Sequence, residues 1–364
     1  MNEKESLILQ LIKTNPFISQ IELAEKTGLS RSAVAGYISS LTKDGKLLGR
    51  AYILPNKKDI VAIGGSNVDR KIQSLKTLQY GTSNPAESSQ SCGGVARNIA
   101  ENLGRLGCDV SLMTVVGEDP EGEWLLDYTK SFVDIRPSQK LSDQPTGTYT
   151  AILDNEGEMA VALADMSIYD SIDQEFIEKR WGYIAAASMV VMDTNFSDDV
   201  LKQVITRCEI ENIPLCITPV SSPKVKKLPQ NLQGVTWLIA NKDEAEALSE
   251  IEIKEEGDYF KAAERIHKKG VEKVVITRGD KGLIYYTKEG EAGAILPPKV
   301  EVEDVTGAGD SLVSGIMYAY LKGLDTENAC KIGIACSILT LRSHETVNPA
   351  LNDLHLQETF KKYF

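Results

Sequence analysis

The chain has only three histidines and no Cys-x-x-Cys pair. That scarcity argues against a zinc centre, which draws on these two residue types at short spacings. Its six cysteines, Cys92, Cys108, Cys208, Cys216, Cys330 and Cys336, are scattered among apolar neighbours, a setting for buried free thiols rather than for a disulfide framework. No apolar run approaches the roughly 18 residues of a membrane-spanning helix. The first residues, Met1 to Lys13, lack the layout of a signal peptide, so a soluble, cytoplasmic protein is expected. Internal repeats and low-complexity tracts are absent as well.

What is present is enough for a large core. The 364 residues are 42% hydrophobic, which suits two domains or one large domain with a small one. Charge is unevenly spread: residues 1 to 58 carry nine Lys/Arg against five Asp/Glu, a balance of +4, leaving −16 for the rest of a chain whose net charge is −12. Two bodies with different partners are expected, joined by a linker at about residues 54 to 58, where Pro55-Asn-Lys-Lys58 favours a turn.

In the first body, over residues 1–54, Glu5 to Thr14 reads as a helix with Leu7, Ile8, Leu11 and Ile12 on one face. Ser19-Gln-Ile-Glu22 has the capping-box pattern and opens a helix from Ile21 to Thr27, which Gly28 ends. Ser30 to Lys43 supplies a third helix, and Gly45 to Leu54 reads as a short hairpin. The arrangement resembles a winged helix-turn-helix, whose third helix would present Ser30, Arg31, Ser32, Tyr37 and Ser40 to a DNA groove. With so modest a positive charge, a docking or dimerisation role stays open beside DNA binding.

From residue 59 onward, strand patterns at Ile60 to Ile63, Val110 to Val115, Met189 to Met192, Leu215 to Thr218, Trp237 to Ala240 and Val274 to Thr277 alternate with helical ones, the order of a doubly wound α/β fold. Such sheets take ligands beyond the carboxyl ends of their strands. Two further β-like stretches, Gln79 to Ser91 and Thr146 to Ala164, interrupt the alternation.

The densest chemistry lies in Asp304-Val-Thr-Gly-Ala-Gly-Asp310, ahead of the apolar run Ser311 to Tyr320. Glycines flanking a small residue let backbone N–H groups converge on an anion, and a helix starting near Gly309 would hold a phosphoryl group there without a basic side chain. An Asp in a first helical turn is often only an N-cap. Capping, however, needs neither Gly-Ala-Gly in front nor a second Asp six residues earlier, so Asp310 is read as a general base.

DVTGAGDSLVSG resembles the C-terminal signature of the ribokinase-like carbohydrate and nucleoside kinases, the PfkB family. Cys92-Gly-Gly-Val-Ala-Arg-Asn98, with the helix that follows, is similar to the N-terminal signature of that family. The resemblance covers about residues 59 to 355. It implies a three-layer, ribokinase-like kinase domain over residues 59–364. It also implies a small β-sheet lid, from segments near 69–91 and 146–166, that often pairs with a second subunit in a homodimer.

For the site, the resemblance implies that Gly307, Ala308 and Gly309 cradle the γ-phosphate of ATP while Asp310 deprotonates a primary hydroxyl. Asp69, in the loop with Asn67, would bind sugar hydroxyls together with Gly93, Gly94 and Asn98, although Asp69 capping a turn is the plainer alternative. Asn241 and Glu244 match an Asn-x-x-Glu motif whose Glu holds Mg2+ through water; the alternative is the surface of an acidic helix. Thr277, Gly279 and Gly282 would approach the nucleotide, Asn348 the adenine, and Asp304 a monovalent cation such as K+, unless Asp304 merely makes a structural hydrogen bond. Ser83-Asn-Pro85, Ala164-Asp-Met166, Asp193-Thr-Asn195 and Pro219-Val-Ser221 are similar to bacterial pseudouridine kinases, which phosphorylate a 5′-hydroxyl. Asn84, Asp165 and Met166 are then candidates for the nucleoside pocket, unless each belongs to a lid turn. A kinase for another sugar or nucleoside, such as ribose or a ketose, and a transcription regulator using the fold as a sensor are the other readings.

Overall fold

The computed structural model describes residues 3–15, 18–47 and 58–364. Most of the expected hairpin, from residue 48 on, and the expected linker up to residue 57 lie outside the described residues.

The N-terminal body has helices Glu3–Thr14, Gln20–Thr27 and Arg31–Lys43. The second opens with the capping box foreseen from its sequence: Ser19 Oγ accepts from Glu22 N and Glu22 Oε2 accepts from Ser19 N. It closes at Gly28, which takes a left-handed φ of 68°. Ile8, Ile12, Leu23, Val34, Ile38 and Leu41 form the core. The buried face of the first helix differs by one position from the expected one. Ile8 and Ile12 stack at i, i+4 with Leu9 beside them, which turns Leu7 to solvent.

The rest of the chain is built on an eight-stranded sheet. Its order is Ala292–Ile295, Leu283–Thr287, Lys273–Thr277, Trp237–Ala240, Leu215–Thr218, Ala187–Asp193, Lys58–Ile63, Val110–Met113. The last six are mutually parallel and the first two antiparallel. Successive side chains of a strand serve opposite layers: Val61 and Ile63 pack with the helices Gln174–Ala185 and Asp198–Glu211, whereas Ile60 and Ala62 pack with Val95–Arg105 and Ala308–Leu321. Cover on both faces explains why Val110–Met113, Leu215–Thr218 and Trp237–Ala240 are buried throughout.

A second, four-stranded sheet has the order Ala86–Gly93, Asn67–Ser74, Thr148–Leu153, Met159–Asp165. Here the structure corrects the sequence reading. The supposed loop at Asp69 is strand from Asn67 onward, and the supposed strand from Gln79 begins only at Ala86. Residues 79 to 85 form a turn, because the Asn84 amide bonds the backbone of Gln79 and Thr82 and Pro85 has no N–H to give a ladder. The stretch Val110 to Val115 also breaks: Val115–Gly117 leaves the large sheet to pair with Gln139–Leu141. Lys273–Thr277 is followed by an antiparallel strand instead of a helix. Gly279 and Gly282, both at positive φ, reverse the chain within five residues.

Candidate active site

Gly307, at φ 77°, is the N-cap of the helix Ala308–Leu321. Only glycine fits there, since a Cβ would lie 2.0 Å from Thr346 O, whereas nothing lies within 4 Å of a Cβ built on Gly309. The helix therefore offers its first N–H groups on an open side, at its positive end. Asp310 is the third helical residue and not the cap. Its Oδ2 accepts from Asn98 Nδ2 at 2.8 Å, which joins the two glycine motifs in space. Burial pushes the Asp310 carboxyl up to about 7; the Asn98 hydrogen bond opposes this and the Asp193 carboxylate adds to it.

Asn98 differs from its expected role. Its Oδ1 is taken by Arg97, from Nε at 3.2 Å and Nη2 at 2.7 Å, so it has no acceptor left to face a hydroxyl and its amide is oriented toward Asp310. Arg97 is itself buried and paired through Nη1 with Glu101 at 2.6 Å, and Glu101 also pairs with Arg105. Sequence reasoning passed over this ladder; the spacing of Arg97, Glu101 and Arg105 at i, i+4 was the signal for it. It also undervalued Asp193. At the end of a central strand, fully buried, Asp193 Oδ2 accepts from Gly65 N at 2.7 Å and Ala96 N at 3.1 Å, and Oδ1 from Asn195 N and Nδ2.

Around this pair lie most of the residues expected on the acceptor side. Gly94, at φ 103°, brings its backbone against Gly65, where a Cβ would meet Gly65 O at 2.4 Å, and Gly93 packs on the Asp69 carboxyl. Asn67 Nδ2 donates to Asp69 Oδ1 at 2.5 Å; burial raises the Asp69 carboxyl and this bond opposes it. Met166 Sδ and Asn67 both border Gly147. Asp165 pairs in register with Thr148, next to Val68, but its Oδ1 accepts from Ser167 N and Oγ and so holds a turn. Asn84 does not join them. It lies beyond the Ser74–Ala86 end of its hairpin, about 20–25 Å along the strands from the Asn67–Gly93 end, with its amide committed to its own loop.

On the nucleotide side, Asn241 and Glu244 form a capping box: Glu244 N donates to Asn241 Oδ1 and Asn241 N to Glu244 Oε2, each at 2.9 Å. Glu244 is buried, not on a solvated acidic surface. Burial drives its carboxyl up to about 7 against those bonds. A desolvated carboxylate with one oxygen left over suits a nearby cation. Among the described residues no cluster of three or more His, Cys, Asp or Glu could hold a metal, so an ion here would keep water and phosphate ligands. Thr277 Oγ1 points back to Ala240 O at 3.5 Å, linking the ends of adjacent strands.

Two expected contacts are engaged within the protein. Asn348 uses its amide on the backbone, Nδ2 donating to Leu339 O and Oδ1 accepting from Ala350 N, and so ties the end of the helix Thr326–Leu341 to the turn that follows it. Asp304 makes the structural hydrogen bonds of the alternative reading: Lys71 Nζ lies 2.7 Å from its Oδ2, and Thr306 N and Oγ1 donate to Oδ1. Burial would raise the Asp304 carboxyl, but the Lys71 and Thr306 bonds outweigh it and hold it at about 2. In the N-terminal body, Arg31 and Ser32 are exposed, Ser30 is engaged as N-cap to Ala33 N, and Tyr37 packs against the core.

The mostly parallel sheet, with a glycine-capped helix and a half-buried carboxyl beyond its strand ends, has the form of a phosphoryl-transfer α/β protein. The profile described as pfkB family carbohydrate kinase matches residues 57–353, and one described as winged helix-turn-helix DNA-binding matches residues 1–47; the chain belongs to the pfkB family of carbohydrate kinases and carries an N-terminal winged helix-turn-helix. It is 30% identical to an uncharacterized sugar kinase of Escherichia coli over 97% of each chain, and 34% identical to the pseudouridine kinase of Escherichia coli over 81% of this chain and 94% of that one. A guanosine-inosine kinase of Exiguobacterium acetylicum is 28% identical over 79% of this chain and 95% of its own. Among solved structures, a carbohydrate kinase from Agrobacterium tumefaciens superposes with a TM-score of 0.73 at 27% identity, covering 84% of this chain and 97% of that one. Arabidopsis thaliana ribokinase complexed with ribose and ATP superposes at 0.72 and 18% identity, over 84% and 99%, a likeness of fold. Among the described residues no helix is long and apolar enough to cross a membrane.

Proposed function

We propose that the chain transfers the γ-phosphoryl group of ATP to the 5′-hydroxyl of pseudouridine, giving pseudouridine 5′-phosphate and ADP. The observation that carries the transfer is the Asn98–Asp310 hydrogen bond, which sets the carboxyl of the anion turn against the acceptor motif. The choice of acceptor rests on the 34% identity to a pseudouridine kinase over nearly its whole length.

In this reading Asp69 accepts from vicinal sugar hydroxyls, with Asn67 fixing its orientation, and Gly93 and Gly94 let the sugar close on the backbone. Met166 and Asp165 border the nucleoside. Asp310 takes the proton of the 5′-hydroxyl as its oxygen attacks phosphorus, and the N–H groups from Gly307 to Gly309 stabilise the transferred phosphoryl. Thr277, Gly279 and Gly282 border the nucleotide. Glu244 would hold Mg2+ through water, supplying charge neutralisation to the phosphates. The four-stranded sheet acts as the lid that excludes water, and dimerisation through it is part of the proposal.

The winged helix-turn-helix supports a second role in DNA binding, through the exposed Arg31 and Ser32. Loss of duplex binding as salt rises is expected, and no affinity for any duplex at low salt would remove that role. For the kinase, ATP consumption is measured across a panel of nucleosides and sugars, with product mass. Pseudouridine should be phosphorylated in preference to ribose, fructose, guanosine and inosine; turnover of one of those without pseudouridine overturns the acceptor assignment.

A further inference from the structure

A cation of the small sheet reaches the anion turn: Lys71 Nζ lies 2.7 Å from Asp304 Oδ2. Lys71 lies on the strand Asn67–Ser74, where side chains alternate between faces. Val68 joins a small apolar core beside the helix Pro120–Thr129, and Arg70 pairs with Glu121 of that helix. Asn67, Asp69 and Lys71 share the opposite face. Asn67 and Asp69 are hydrogen bonded on it, and Lys71 reaches from it to Asp304. The same face of one strand therefore carries the acceptor carboxylate and a half-exposed ammonium. That ammonium is tied to a carboxylate whose other oxygen holds Thr306, the residue before Gly307.

The charge around the turn is lopsided. Asp69, Asp193, Asp304 and Asp310 gather there, while the buried Arg97 is committed to Asn98 and Glu101 and Lys224, beside Asp193, to Asn195. The N–H groups of the turn can seat a phosphoryl group among these carboxylates, and a mobile cation beside them would offset the repulsion it meets there. We propose, resting on the kinase reading above, that Lys71 is a catalytic residue: its ammonium moves from Asp304 to the non-bridging oxygens of the phosphoryl group during transfer. As the acceptor oxygen bonds to phosphorus, the bond to the β,γ-bridging oxygen breaks and its electron pair leaves with ADP. The acceptor proton goes to Asp310. Lys71 stays protonated throughout, and Asp304 holds it in place between turnovers.

The test uses the full chain as wild type, Lys71→Met and Lys71→Arg. With any primary alcohol the wild type phosphorylates, Lys71→Met should lower kcat by about 100-fold while KM for ATP and acceptor stays within about threefold, and Lys71→Arg should restore most of kcat. A kcat within about threefold of wild type, or a rise in KM alone, overturns the proposal and leaves Lys71 a latch for the sheet. Binding of ADP with aluminium fluoride gives a second readout that needs no acceptor. Lys71→Met should weaken it by a similar factor while sparing ADP alone, and equal affinity in both proteins also overturns the proposal. A wild type that phosphorylates nothing removes the kinase reading, and the fluoride measurement still decides the cation.

Discussion

Replacing Asp310 by Asn is the sharpest perturbation of the site. The two side chains have the same shape, and an amide oxygen can still accept from Asn98 Nδ2 at 2.8 Å, so geometry is kept while the proton acceptor is lost. A positioned general base contributes about 10²–10⁴-fold; a thousandfold loss of kcat corresponds to about 4 kcal/mol of barrier. ADP affinity should hardly change. The wild type should gain activity as pH rises through about 7, where the Asp310 carboxyl ionises, and the variant should lack that limb. Stability supplies an independent check. Because the folded carboxyl titrates near 7 and the unfolded one near 3.8, its stabilising contribution is complete below the unfolded value and is lost as pH rises through the folded one. Asn escapes that loss, so the variant should match the wild type near pH 4 and exceed it at pH 8. Allowing for the partial exposure of the carboxyl, the gain is about 1–2 kcal/mol. A variant kcat within about tenfold of wild type, or a surviving limb near pH 7, would refute Asp310 as the base.

Gly307→Ala forces a Cβ to within 2.0 Å of Thr346 O at a φ of 77°; a loss of about 2 kcal/mol should appear as a lower Tm together with weakened turnover. Glu244→Gln should raise the Mg2+ concentration needed for half-maximal activity about tenfold with a smaller change in kcat, and an unaltered Mg2+ titration would contradict the assignment. Asn84→Ala removes a loop amide far from Asp310, so turnover and acceptor KM should stay within about twofold of wild type, and a large rise in KM would return Asn84 to the pocket.

Features set by neighbouring residues were legible in the sequence. The capping box at Ser19, the glycine turn at Gly307 and the buried strands of the large sheet obey short-range rules of propensity and period. Asn67–Ser74 was hidden because Asn-Val-Asp-Arg-Lys-Ile-Gln-Ser shows weak strand preference, and pairing with Ala86–Gly93 and Thr148–Leu153 decides its state. Asp193 was undervalued and Lys71 missed for a related reason. Asp193 meets Gly65 from 128 residues away and Lys71 meets Asp304 from 233. Asn348 misled in the opposite sense, since an Asn beside a ligand loop is as readily spent on the backbone.

The four bonds of Asp193 come from three separate stretches of chain: the loop after Lys58–Ile63, the start of the helix Val95–Arg105, and Asn195. The floor of the acceptor pocket therefore opens as one unit. In hydrogen exchange the amides of Gly65, Ala96 and Asn195 should exchange together, at the rate of global opening, while the amides of the exposed strand Met159–Asp165 exchange sooner. A substrate arriving at this protein meets a floor already set, and the conformational freedom left for recognition lies in the sheet above it.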